Sequence, residues 1–145
     1  MVGPVIVVQC HGTFDLFHYG HLVYLQTART YGDVLIVTVT ADKYVQKGEG
    51  RPVFKEHQRV AMLRALAIVD DVKLIQAAGA EPAIRAVRPN VYVKGVEYLG
   101  KLPEQKLVEE LGGRVEFTYD DEASFIKSSN LLRYYKNDKQ PLAKD

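Results

Sequence analysis

Tryptophan is absent from this chain of 145 residues, methionine appears twice and cysteine once. The lone thiol, Cys10, has no second cysteine to pair with inside the chain, which fits a reducing cytoplasm as its compartment. Net charge is almost absent. Nineteen Lys and Arg against 18 Asp and Glu give +1, so no basic field argues for nucleic acid as a partner. Long apolar runs are missing as well. The stretch 2–8 is too short to span a membrane and has no basic leader, so it reads as a strand and no membrane partner is expected. No internal repeat or low-complexity segment interrupts the chain. What is present is ordinary for a globular protein: 47% apolar and 26% charged residues. One domain is expected over residues 1–136, followed by a charged tail, 137–145, that contains Pro141 and reads as disordered. A chain this long buries about 68–70% of its unfolded surface, enough for a proper core.

Strand and helix patterns alternate. The β-branched run Val5-Ile6-Val7-Val8 reads as a strand buried on both faces, and Leu22, Leu25 and Ala28 recur at helical spacing after it. Residues 33–40 form a second buried strand, with Gly32 before it where a helix C-cap favours glycine. A polar loop covers 41–52, and a helix over 55–67 carries Val60, Leu63 and Ala67 on one stripe. A strand over 71–76, a helix over 80–88 that admits Pro82 only in its first turn, and a strand over 91–94 follow. A helix over 103–111 stops at Gly112-Gly113, and a fifth strand covers 114–119. Ser128 or Ser129 suits the N-cap of a last helix. Five strands separated by helical segments require right-handed crossovers. The predicted fold is α/β: a Rossmann-like, doubly wound, five-stranded parallel sheet with helices on both faces. Ligands in such folds bind beyond the carboxyl ends of the strands, at the switch point.

The residues that reach this edge after the first strand are Gly12-Thr13-Phe14-Asp15 and, three positions on, His18-Tyr19-Gly20-His21. A strand, a glycine turn and a helix start present backbone N–H groups and a positive dipole end to a phosphate. His18 and His21, three apart, share a helix face, and Gly20 between them has no side chain to hold a ligand away.

These two motifs resemble the signature of the nucleotidyltransferase superfamily. The likeness extends through Gly48-Glu49-Gly50-Arg51-Pro52-Val53, His57-Gln58-Arg59 and Val69-Asp70-Asp71-Val72, which follow the layout of small cytidylyltransferase-like enzymes. Val93-Lys94-Gly95-Val96-Glu97-Tyr98 resembles the corresponding segment of the heptose 1-phosphate adenylyltransferases, and the first motif is also similar to that of the glycerol-3-phosphate cytidylyltransferases. Val96 and Glu97 depart from the glycine and aspartate usual in the heptose enzymes, and Ile126-Lys127-Ser128-Ser129 departs from the Ile-Ser-Thr-Thr of many relatives.

The resemblance implies transfer of a nucleoside monophosphate from ATP to a sugar 1-phosphate with release of pyrophosphate. CTP with glycerol 3-phosphate or another polyol phosphate is the alternative, and a nucleotide-binding regulatory module without turnover is the reading of another class. A phosphate monoester has a second pKa of about 6 and is already a nucleophile at neutral pH, so no general base is required. No Ser-His-Asp or Cys-His arrangement is evident to supply one. The need is charge neutralisation. The roles expected are these. Gly12, Thr13 and Phe14 cradle the triphosphate through their backbone, while His18 and His21 donate to its oxygens. Lys47 assists catalysis, and Asp15 and Arg59 belong to the substrate-phosphate site. Gly95, Glu97 and Tyr98 meet the nucleoside, and Ser128 and Ser129 close over the outer phosphates. Mg2+ is expected on phosphate oxygens and water, with no dedicated protein ligand set. Family likeness and the tyrosines Tyr24, Tyr44 and Tyr134 suggest a homodimer.

Other roles stay open for several of these residues. Asp15 also reads as a turn anchor, Arg59 as one half of an exposed ion pair with Glu56, Lys47 and Lys94 as solvated lysines, and Ser128 as a helix cap only. Cys10 reads as a small buried hydrophobe, and His11 and His57 receive no role.

Overall fold

The computed structural model describes residues 3–118. Ser128, Ser129, Lys127, Tyr134, the expected last helix and the tail lie outside the described residues. Five strands, β1 (Val7–Gly12), β2 (Val34–Thr40), β3 (Asp71–Ile75), β4 (Val91–Gly95) and β5 (Arg114–Thr118), alternate with helices α1 (Tyr19–Arg29), α2 (Glu56–Arg64), α3 (Glu81–Val87) and α4 (Gln105–Glu110). Short 3-10 turns, Asp42–Tyr44 and Val96–Tyr98, follow β2 and β4. All pairings are parallel and the sheet order is β3-β2-β1-β4-β5, so the expected doubly wound sheet is present. No helix among the described residues is long and apolar enough to cross a membrane.

Strand alternation builds two cores. Val8 and Cys10 of β1, Leu35, Val37 and Val39 of β2, and Val91 and Val93 of β4 pack on Leu25 and Ala28 of α1 and Leu63 of α2. Tyr92, the residue between Val91 and Val93, points the other way and packs with Ile84 of α3, Val108 of α4 and Leu102 of the loop before α4. In register, Cys10 lies beside Val37 on one side and Val93 on the other. β1 is thus central, and its two neighbours are reached by connections that leave in opposite directions. The crevice this creates lies at the carboxyl ends of β1 and β4. The opposite edge is closed by side chains: Asp33, Asp70 and Asn90 accept from the N–H groups of Ile6, Leu35 and Val7 at 2.8, 2.8 and 2.7 Å.

Three expectations change. Gly32 is not a left-handed helix cap: α1 ends at Arg29 with Thr30 as C-cap, and a Cβ on Gly32 would fall 2.7 Å from Val8 and 2.8 Å from Ile6. The glycine is there for close packing. Helix α2 stops at Arg64, and the turn after it sends Leu66, Ile68 and Val69 to the core in place of Ala67. Tyr24, expected at an interface, packs inward on the core and donates its hydroxyl to the Val93 carbonyl.

Candidate active site

The histidine pair is built by a helix cap. His18 is the N-cap of α1 with an extended backbone (φ −141°), and its Nδ1 accepts from Gly20 N–H at 3.0 Å. His21, at the third helical position, turns its own Nδ1 back to accept from His18 N–H at 3.2 Å. Each histidine thereby satisfies a backbone donor at the helix start, in the reciprocal pattern that Ser and Glu form in a capping box. The rings stack with centroids 3.9 Å apart, and His21 also lies against Phe14 and Phe17 at 5.4 and 5.3 Å. With Nδ1 an acceptor in both rings, the proton of each neutral imidazole is on Nε2. Burial holds His18 below the ordinary histidine pKa. Burial, then His18 and Lys47, push His21 down to about 3 against the opposing charge of Asp15. The pair offers two neutral N–H donors.

The turn between β1 and α1 is braced. Phe14 and Leu16 take left-handed φ of 54° and 49°, a conformation that disfavours side chains by about 1–2 kcal/mol per residue. Asp15 between them is 2% exposed. Its carboxylate accepts from Leu16 N–H, Val53 N–H, Phe54 N–H and Arg51 Nε at 3.1, 2.7, 2.9 and 2.9 Å. Burial alone would raise its pKa, but the Phe54 and Val53 amides and the Arg51 guanidinium more than offset it, and the net shift is downward. The expected substrate-phosphate role is corrected here. An anionic carboxylate filled by four donors is the anchor that ties the loop after β2 to the turn after β1.

Arg59 is corrected on the same ground. It is 2% exposed, and its guanidinium donates to the carbonyls of Phe54, Thr13 and Thr40 and to Asp42 Oδ1 at 3.0, 2.7, 2.8 and 2.8 Å. Its acidic partner is Asp42, not Glu56, which instead accepts from Asp42 N–H at 2.8 Å. Arg59 is a strut joining the ends of β1 and β2 to α2, with its donors directed into the protein.

Across the crevice, Lys94 leaves β4 on the face of Tyr92. Its Nζ donates to the His11 carbonyl at 3.1 Å and lies 5.1 Å from the centre of the Tyr98 ring. Burial lowers its pKa, with Glu104, Cys10 and Glu97 opposing and Lys47 adding. Lys47, on the exposed loop after β2, is therefore in electrostatic reach of both His21 and Lys94. Gly95 has a local reason: a Cβ there would fall 2.3 Å from Glu97 Oε2, so the bare backbone is what lets the Glu97 carboxylate fold over it. The structure thus brings Gly12, Thr13, Phe14, His18, Gly20 and His21 together on one side, and Gly95, Glu97 and Tyr98 on the other.

Sequence reasoning left three contributors without a role. Arg51 is the partner of Asp15, and its place beside Pro52 gave no such signal. Lys94 shares the Tyr92 face by strand alternation, which the pattern of β4 could have shown. His11 sits 2.9 Å through Nδ1 from Thr38 Oγ1, a contact that depends on the β1–β2 register. Among the described residues, no group of three His, Cys, Asp or Glu side chains is placed to hold a metal.

A parallel sheet whose central strand opens onto a helix start capped by two neutral histidines, with two lysines close by, suits a ligand that carries phosphate groups. The chain belongs to the cytidylyltransferase-like family, whose model matches residues 9–134. It is similar to the "Bifunctional protein HldE" of Desulfatibacillum aliphaticivorans, at 37% identity over 137 residues, covering 90% of this chain and 27% of that protein. The protein of the same name from Streptomyces coelicolor is 46% identical over 111 residues, covering 74% of this chain and 24% of that one. The chain spans about a quarter of the length of these relatives. Among solved structures, the lipopolysaccharide core biosynthesis protein from Thermoplasma volcanium is 30% identical with a TM-score of 0.66, over 81% of this chain and 100% of that one. The pantoate-beta-alanine ligase of Francisella tularensis, at 12% identity and a TM-score of 0.59 over 97% of this chain and 74% of that one, shares the fold.

Proposed function

We propose that this chain transfers AMP from ATP to a sugar 1-phosphate of the heptose 1-phosphate kind. The observation that carries the transfer chemistry is the histidine cap: two Nε2–H donors, fixed by backbone bonds to both Nδ1 atoms, at a helix start. An oxygen of the acceptor phosphate attacks the α-phosphorus. The bond from that phosphorus to the bridging oxygen breaks, and pyrophosphate leaves with the electron pair. The acceptor arrives as a dianion, so no proton has to be removed. His18 and His21 donate to the α- and β-phosphate oxygens as charge develops there. Lys47 and Lys94 supply positive charge around them. Gly95, Glu97 and Tyr98 hold the nucleoside, while Ser128 and Ser129 are assigned to the outer phosphates. The described residues do not fit a protein cage for Mg2+. The ion is assigned to the triphosphate's own oxygens.

The choice of ATP and a sugar 1-phosphate is supported by the likeness of 93–98 to the heptose 1-phosphate enzymes and by the HldE relatives. Transfer from CTP to a polyol phosphate is the second reading, favoured by Gly12-Thr13-Phe14-Asp15-Leu16. Pyrophosphate release from each of four nucleoside triphosphates, against a panel of sugar and polyol phosphates, tests both. Release with ATP and a sugar 1-phosphate supports the first, and release only with CTP and a polyol phosphate replaces it. A homodimer belongs to the same reading, with exposed Val53, Phe54 and Met62 as apolar surface for it. Light scattering that gives the mass of one 16.3 kDa chain, with or without nucleotide, would remove it.

A further inference from the structure

One polar row crosses the interior of an otherwise apolar sheet. Gln9 and Thr38 are fully buried, and His11 is 6% exposed. Gln9 Nε2 donates to Thr38 Oγ1 at 2.9 Å and to the Ala83 carbonyl of α3 at 3.1 Å. Thr38 Oγ1 in turn lies 2.9 Å from His11 Nδ1. Gln9 and His11 alternate with Val8 and Cys10, so their side chains leave β1 on the α3 face, away from α1 and α2. Burying polar groups costs free energy unless each is satisfied, and this row is not self-sufficient, because Gln9 Oε1 has no partner among the described residues. It ends at the carboxyl edge of the sheet on His11, whose other ring nitrogen, Nε2, makes no hydrogen bond among the described residues.

We propose that His11 reads a hydroxyl group of the acceptor, with Thr38 and Gln9 as positioning residues that hold its ring on the β2 side of the β1 carboxyl edge. This rests on the transfer reading above. In that reading the nucleoside takes the β4 end, at Gly95, Glu97 and Tyr98, and the triphosphate takes the α1 side. By elimination that reading gives the acceptor the β2 side of the β1 carboxyl edge, where the bond to Thr38 holds the His11 ring. The partner is a hydroxyl because the tautomer of His11 is not fixed as it is in His18 and His21, whose Nδ1 atoms accept from backbone N–H groups. The Nδ1 of His11 lies on Thr38 Oγ1, which can donate or accept, so Nε2 of its neutral ring is left as donor or acceptor accordingly. A hydroxyl both donates and accepts, and so satisfies Nε2 in either tautomer.

The test is steady-state kinetics with the full chain, varying acceptor and triphosphate separately. His11→Phe keeps a ring of similar size and removes both nitrogens. Its acceptor KM should rise at least about tenfold while its triphosphate KM stays within about twofold of wild type, the signature of a lost specific contact. His11→Gln, which keeps a hydrogen-bonding group, should recover part of the loss, and Thr38→Val should fall between. Acceptors lacking one hydroxyl at a time should include one that penalises wild type by the same factor and His11→Phe no further. If His11→Phe does not fold, His11→Gln and Thr38→Val read the same acceptor KM. An acceptor KM within about twofold of wild type in the variants that fold, with wild type active, overturns the assignment of His11 alone. No pyrophosphate release by wild type with any acceptor overturns the transfer reading and this inference with it.

Discussion

The turn that follows β1 has a charged flank and a neutral one. On the charged flank, Asp15, Arg51, Arg59 and Asp42 form two ion pairs at 2.9 and 2.8 Å, and their remaining groups are largely taken by backbone amides and carbonyls. On the neutral flank, His18 and His21 carry no charge and bond to backbone only through Nδ1. The full charges are the frame, and the neutral rings are what the frame presents. A buried charge is tolerable only when paired and hydrogen-bonded, so the residues that look most like phosphate ligands are the ones the fold requires for itself. Neutral donors sit beside an anion site without that demand.

The sharpest way to break this comparison is at Arg59. Arg59→Leu leaves Asp42 without its guanidinium and strands the carbonyls of Thr13, Thr40 and Phe54. Unfolding stability should fall by about 3–5 kcal/mol, the scale for removing one partner of a buried pair. That is a large share of a typical domain's stability of about 5–15 kcal/mol. Urea unfolding reads it, and a loss below about 1 kcal/mol, the value for an exposed pair, would return Arg59 to the surface.

On the neutral flank the main effect should be on rate. His18→Ala and His21→Ala should each lower kcat by roughly 10²–10³, the scale for losing one transition-state donor. Each should also lower stability by about 1 kcal/mol through the lost cap. His18→Asn separates the two jobs, because asparagine is among the best N-caps and has no Nε2–H in that place. It should restore the melting temperature and leave turnover low. Recovery of both would show that the ring matters only as a cap.

The two flanks should also separate on the pH axis. An unfolded histidine titrates near pH 6.5. His21 is held at about 3 and His11 at about 4, so below about pH 6.5 the unfolded chain binds protons that the folded chain refuses. Their contribution is complete above that pH and is lost as pH falls, by about 1.4 kcal/mol per pH unit for each proton fully refused. Partly exposed His18 adds less. Asp15 and Asp42 are also depressed, so their contribution survives until pH drops below the unfolded carboxylate value of about 3.9. Urea midpoints should therefore start to fall below about pH 6.5 and keep falling below about pH 4, where the His11 term levels off and the carboxylates take over. His21→Asn should make the fall between those two values shallower. A midpoint constant between those two values would mean the rings are charged when folded.

Much of this is legible in the sequence. Continuous β-branched apolar runs and the glycine and proline breaks mark all five strands, because a parallel sheet covered on both faces leaves little freedom in which residues are apolar. The motif from Gly12 to His21 was placed at the sheet edge by the same logic. What could not be read was direction. Whether Arg59 faces substrate or carbonyls depends on where the ends of β1 and β2 lie, and those are distant in sequence. Asp15 did have a local reading as a turn anchor, but its main partners, at 51, 53 and 54, come from a loop that only the fold brings near. The histidine cap was half visible. The spacing of three shows in the sequence, but the use of Nδ1 by the backbone does not, because Ser, Thr, Asp and Asn are the residues expected at a cap.

The smallest expected effect lies across the crevice, at a glycine beside an exposed carboxylate. Gly95 has an ordinary φ of −69°, so alanine fits the backbone without strain. Its Cβ would nevertheless land 2.3 Å from Glu97 Oε2. Glu97 is exposed, so displacing its carboxylate leaves the core untouched. Gly95→Ala should therefore leave stability within about 0.5 kcal/mol of wild type. The carboxylate, however, is the group assigned to the nucleoside, and a displaced hydrogen-bonding partner is worth about 1–1.5 kcal/mol. The triphosphate KM should rise by roughly tenfold or somewhat less, with kcat nearly unchanged, because a contact to the nucleoside is made equally in the ground state and the transition state. Glu97→Gln, which keeps an acceptor oxygen in place, should have a smaller effect than Gly95→Ala. If Gly95→Ala lowered kcat instead and left KM alone, the β4 end would be acting on the reacting phosphate, and the division between a neutral donor flank and a nucleoside flank would have to be redrawn.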